Sequence, residues 1–137
     1  MKDWQRQAFV GWVESFLGTP YEYGGGHGGI STHRLPKTFD CSGVIVVAAQ
    51  LCRLLGWARD ENSYSMWRVM EPTDDPQPGD LVFWYREGTE WIFHVEVLTK
   101  KIEDSWMCCG ARGSMGGVVR TAGFERPGAI LAGFRRW

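Results

Sequence analysis

From Asp3 to Leu17 the apolar side chains Trp4, Ala8, Phe9, Trp12, Val13, Phe16 and Leu17 return every three or four positions. That spacing predicts an amphipathic helix with one packed face, with Asp3 as its N-cap and Gly18 followed by Pro20 as its stop. The next stretch, "TPYEYGGGHGGISTHRLPKT", carries five glycines and two prolines and reads as an open loop ending near Asp40. From Ser42 to Leu55 small and apolar residues lie on nearly every side, which predicts a helix buried all round, with Gly56 to stop it. After a polar stretch, "QPGDLVFWY" combines a Pro-Gly turn with β-formers. The segments "EWIFHVEVLT", "DSWMCCGA" and "GAILAGFRRW" continue as strands. Helices come first and strands second, so the expected class is α+β, with helices packed on an antiparallel sheet.

Composition narrows this picture. At 137 residues and 44% apolar, the chain suits a single domain over residues 1–137 that buries roughly two-thirds of its unfolded surface. Fifteen basic against 16 acidic residues, a formal charge of −1, offer nothing to a polyanion, so no nucleic-acid partner is expected. No apolar run approaches about 18 residues, so no membrane insertion is expected. The opening "MKDWQRQ" lacks the apolar core and cleavage site of a secretory signal, which predicts a start in the cytoplasm. The four cysteines, Cys41, Cys52, Cys108 and Cys109, show no CxxC spacing, so reduced thiols and no metal are expected.

The chemistry concentrates at residues 38–44, "TFDCSGV". Cys41 stands where the buried helix begins, and the free amides and dipole there favour an anion. The placement predicts a thiol that ionises easily. His94, in "FHVEV", is a base able to take the thiol proton and return it to a leaving group. Each residue also has a plainer reading, a buried structural cysteine and a satisfied half-buried histidine, and pattern alone leaves both open.

Taken in order, "GTPYEYGG", "FDCSGV", "PGDLVFW", "HVEV" and "GFRRW" resemble the successive signatures of NlpC-type papain-like cysteine peptidases, which cut bacterial cell-wall stem peptides. The resemblance implies a minimal papain-like domain with the nucleophile at the N-terminus of a buried central helix packed on an antiparallel sheet. It implies Cys41 as nucleophile, His94 as general base and then acid, and Tyr21 as donor to the oxyanion beside the Cys41 amide. It further implies that Asp40 and Ser42 hold the free amino end of a murein peptide, with Tyr23 as a wall. Arg59 and Asp60 would read the diamino residue on the leaving side. No metal or organic cofactor is implied. Local readings stand beside these: helix capping for Asp40 and Ser42, a packed aromatic for Tyr21, a solvated charged loop for Arg59 and Asp60.

The implied activity is hydrolysis of the γ-D-glutamyl to diamino-acid amide bond through a thioester. The alternatives are thiol hydrolysis or acyl transfer on another amide, and an inert phage-tail or binding module of the same fold. The family usually carries a third polar residue, commonly histidine, on the strand after the catalytic histidine. That strand here reads "DSWMCCGARG", and hairpin length would bring Trp106, Met107 or Cys108 to the position. The orienting group is left among Ser105, Glu96, Cys108, a backbone carbonyl and the loop histidines His27 and His33. Glu96 replaces the family's usual glycine and shares a strand face with His94. Relatives commonly carry a signal peptide and a wall-binding module; without them the expected setting is the cytoplasm, or signal-independent delivery with a phage-tail or secretion-machine partner. Of the eight tryptophans, Trp4, Trp12 and Trp84 are expected in the core and none is assigned to ligand.

Overall fold

A computed structural model describes residues 1–27, 34–56 and 59–137. Three helices, α1 (Asp3–Ser15), α2 (Cys41–Leu51) and α3 (Ser63–Val69), precede six strands. The strands are β1 (Glu71–Thr73), β2 (Leu81–Arg86), β3 (Ile92–Ile102), β4 (Ser105–Arg112), β5 (Gly117–Ala122) and β6 (Ala129–Arg136). They form one antiparallel sheet in the order β1-β6-β2-β3-β4-β5. This is the expected α+β class. No helix among the described residues is long and apolar enough to cross a membrane.

Alternation along β2 and β3 divides the sheet into two faces. Leu81, Phe83, Val95 and Val97 join the main core with α1 and α2, while Val82, Trp84 and Leu98 join a smaller cluster with Trp106 and Cys108. Helix α2 is buried from Ser42 through Gln50, as its all-round apolar sequence requires. Buried Asp80, just ahead of β2, accepts from Arg6 of α1 at 3.1 Å and from Arg136 of β6 at 2.7 Å, tying both chain ends to the sheet.

Two features of α1 differ from expectation. Asp3 is the first helical residue rather than the cap, and the start is closed by the Gln5 side chain, which accepts from the Lys2 amide at 3.1 Å. Only Phe9, Val13 and Phe16 are buried, whereas Trp4 is 56% and Trp12 36% exposed. At 100° per residue, the stripe that reaches α2 and the sheet is narrower than the apolar set. Trp12 covers its edge by stacking on Phe16, and Trp4 falls on the far side. Helix α3 and strands β1 and β5 were not anticipated. Helix α3 carries a local signal, a reciprocal cap in which Asn62 Oδ1 accepts from the Ser65 amide and Ser65 Oγ accepts from the Asn62 amide.

Candidate functional site

Asp40 opens α2 as its N-cap, with Oδ1 accepting from the Gly43 amide at 2.7 Å. Gly43 lies so close to the Gly25 carbonyl that a Cβ at Gly43 would collide with it. The near half of the glycine loop is therefore seated on the helix start rather than open. Its pins are the parallel bridge of Tyr21 to Phe39 and the Gly24 amide donating to Asp40 Oδ2 at 3.1 Å. His33 lies outside the described residues.

In front of this junction is a cleft of about 910 Å³. Of the residues singled out from sequence, Tyr21, Tyr23, Asp40, Cys41, Ser42 and Asp60 line it. Arg59 does not; its guanidinium turns to Glu61 at 3.1 Å. Tyr64, Trp91 and Phe93 add an aromatic part to the lining that was not foreseen. Trp91, 61% exposed, stacks on Tyr64 with centroids 5.1 Å apart, and Arg86 lies over Phe93 at 4.6 Å.

Cys41 Sγ meets the strand that carries His94, lying 3.9 Å from the Phe93 carbonyl oxygen. No hydrogen bond joins Sγ to His94 among the described residues. The expectation of an easily ionised thiol is overturned: burial, with the Asp40 carboxylate beside it, pushes Cys41 up to about 11. Backbone hydrogen bonds and the Arg126 charge act in the opposite direction and are outweighed. Desolvation exceeds the pull of one helix end. Iodoacetamide labelling of Cys41, followed by peptide mapping, is accordingly expected to accelerate about tenfold per pH unit from pH 7 to 10. A rate already level below pH 8 would contradict this account.

His94 is 3% exposed on β3, opposite Trp84 of β2 in the strand register, with their rings 5.4 Å apart. Its Nε2 lies 2.6 Å from Glu96 Oε2. Arg112 Nε donates to that same oxygen at 2.7 Å, and Arg126 Nη1 approaches it at 3.5 Å. Burial opposes ionisation of Glu96, but the bonds from His94 and Arg112 hold its pKa below the ordinary value. Burial lowers His94 despite the neighbouring carboxylate. The pair is thus carboxylate and neutral imidazole. An ionised carboxylate only accepts, so Nε2 carries the proton and Nδ1 is left as the base.

The group hydrogen-bonded to His94 is Glu96, one of the residues left open by the sequence; Ser105, Cys108 and His27 have no hydrogen bond to His94 among the described residues. The position beside His94 on β4 is also not Trp106, Met107 or Cys108. The pairing of Val97 with Cys109, continued along the strands, brings Gly110 opposite Glu96 and Arg112 opposite His94. A Cβ at Gly110 would lie 2.5 Å from Glu96 Cγ, so a glycine there makes room for the acid.

His27 has a place of its own in the cleft. Nε2 is 2.8 Å from Asp40 Oδ1 and 3.0 Å from Ser42 Oγ, and Nδ1 is 2.6 Å from Asp60 Oδ1. The hydrogen bond to Asp40, reinforced by Asp60 and opposed by burial, raises its pKa to about 9. Asp40 is in turn held below its usual range, burial being outweighed by His27 and the Gly43 amide. The only signal for this arrangement was a histidine in a glycine-rich loop, since Asp40 and Asp60 lie 13 and 33 residues further along the chain.

A family model described as the NlpC/P60 family matches residues 18–108. Among solved structures, the fold is similar to the NlpC/p60 domain of the peptidoglycan hydrolase SagA, with a TM-score of 0.62 and 21% identity over 85% of this chain and 88% of that one. No curated protein matches.

Proposed function

Because the chain belongs to the NlpC/P60 family, a membership that supports a cell-wall peptidase kind of function, we propose that it is a cysteine endopeptidase of peptidoglycan stem peptides, cutting between γ-D-glutamate and the diamino acid. The observation that carries this reading is Cys41 at the head of α2, lining the cleft and abutting the strand that holds the His94–Glu96 pair.

In the proposed reaction the Cys41 proton passes to His94 Nδ1 as Sγ attacks the amide carbon, so both groups start neutral, as their shifts require. The S–C bond forms and the carbonyl oxygen takes the negative charge. Burial raises the Tyr21 pKa, keeping its phenol protonated as a donor to that oxygen beside the Cys41 amide. The C–N bond then breaks, the imidazolium hands its proton to the departing amine, and a thioester remains. Water, deprotonated by His94, attacks the thioester; the acid leaves and the thiol is restored. Thiol and imidazole contacts that are loose in the free enzyme commonly tighten in the substrate complex.

Mass spectrometry after incubation with N-acetyl-L-alanyl-γ-D-glutamyl-diaminopimelyl-D-alanine under reducing conditions tests the assignment. Two dipeptides are the expected products. A cut at another bond overturns the bond assignment. One observation favours a second reading, a binding module that kept the fold: among the described residues Sγ has no hydrogen bond to His94. Absence of product from this peptide and from intact sacculi would decide for that module.

A further inference from the structure

The acidic side of the cleft beside Cys41 is filled from within the chain. Asp40 Oδ1 already accepts from His27 at 2.8 Å, the Gly43 amide at 2.7 Å and Ser42 Oγ at 3.3 Å, and Oδ2 accepts from the Gly24 amide at 3.1 Å. Asp60 Oδ1 takes His27 Nδ1 and the Glu61 amide. Both imidazole nitrogens face a carboxylate. Each nitrogen donates to the carboxylate it faces, so both carry protons and His27 is an imidazolium.

Two carboxylates and a hydroxyl next to a nucleophile would, if open, draw in a substrate ammonium, which supplies three N–H donors and a full charge. Here the imidazolium supplies the charge, and at neutral pH it keeps its proton. An incoming ammonium must displace a cation bonded to three side chains, whereas an acylated nitrogen brings no charge and needs none.

Resting on the peptidase reading above, we propose that His27 is a specificity-determining residue: by occupying Asp40, Ser42 and Asp60 it directs the cleft to acyl groups without a free ammonium. The substrate class is then a stem peptide whose first amino group is acylated, as when still linked to its glycan, in place of a released peptide with a free amino end. This replaces the expectation that Asp40 and Ser42 grip a free amino terminus.

Binding separates this proposal from turnover. Titration calorimetry of the Cys41→Ala protein compares L-alanyl-γ-D-glutamate with its N-acetyl form, with and without His27→Ala. With His27 present, the acetylated ligand is expected to bind at least as tightly as the free amine. Its removal opens the acids, and the ratio is expected to swing by about tenfold toward the free amine, the scale of one charge-assisted hydrogen bond. His27→Gln, which keeps a donor without the charge, repeats the test should the alanine variant not fold. A tenfold preference for the free amine with His27 in place overturns the proposal. So does a ratio that changes less than threefold in both variants, or no binding of either ligand. Lack of peptide cleavage by the unaltered protein would instead count against the peptidase reading, leaving the binding comparison to judge His27.

Discussion

Cys41→Ala is expected to reduce wall-peptide cleavage to background, a fall of about 10⁴-fold or more in kcat/KM, because no other group at the head of α2 can form the thioester. The other described cysteines are poorly placed to substitute. Cys52, Cys108 and Cys109 are buried, and burial raises all three thiols. The exchange removes one sulfur at the surface of the cleft and leaves the Asp40 cap, the Gly25–Gly43 contact and the α2 core in place. The melting temperature is therefore expected to stay within a few degrees. Cys41→Ser should be as inactive as the alanine variant, since a hydroxyl is harder still to deprotonate than a thiol already raised to about 11. Retention of a tenth of the activity in either variant would refute the nucleophile assignment.

Glu96→Gln is expected to lower kcat/KM by about 10²-fold, with the effect in kcat more than in KM. In the proposed reaction Glu96 is a positioning residue that acts through His94. Its carboxylate fixes the tautomer that leaves Nδ1 basic and steadies the imidazolium formed during attack. A glutamine can accept one hydrogen bond from Nε2 but leaves Arg112 and Arg126 without their counter-charge. Breaking a buried pair on one side costs about 3 kcal/mol, to be read from urea denaturation. Stability loss alone would not move the pH profile, so the profile is the discriminating measurement. Burial lowers the His94 pKa and Glu96 raises it. Removing the carboxylate therefore lowers the His94 pKa further and shifts the acid limb of kcat/KM to lower pH. An unchanged acid limb together with activity within threefold of the unaltered protein would show that Glu96 only fills space.

The two candidate sets were legible to different degrees. Cys41 was conspicuous because a helix start leaves a local signature, an acid at the N-cap and a small-residue run behind it. The His94–Glu96 pair was half-visible, since period-two alternation puts both on one strand face, but Arg112 is brought alongside only by the long hairpin that joins β3 to β4. Arg126 arrives from the segment between β5 and β6. Nothing local marks either arginine as a partner of the acid.

What the sequence by itself determined is what short-range periodicity controls: the buried course of α2, the strands β2, β3, β4 and β6, the α+β class, and the position of a thiol at a helix head. Tertiary structure decided the rest. It chose which stripe of α1 is covered and left Trp4 and Trp12 outside, because exposure depends on the neighbouring surface and not on the side chain alone. It turned His27 into an internal counter-ion of Asp40 and Asp60, a contact set by how the loop closes on α2. It also reversed the expected ionisation of Cys41, because the helix end acts over one turn whereas desolvation comes from every atom packed around the sulfur.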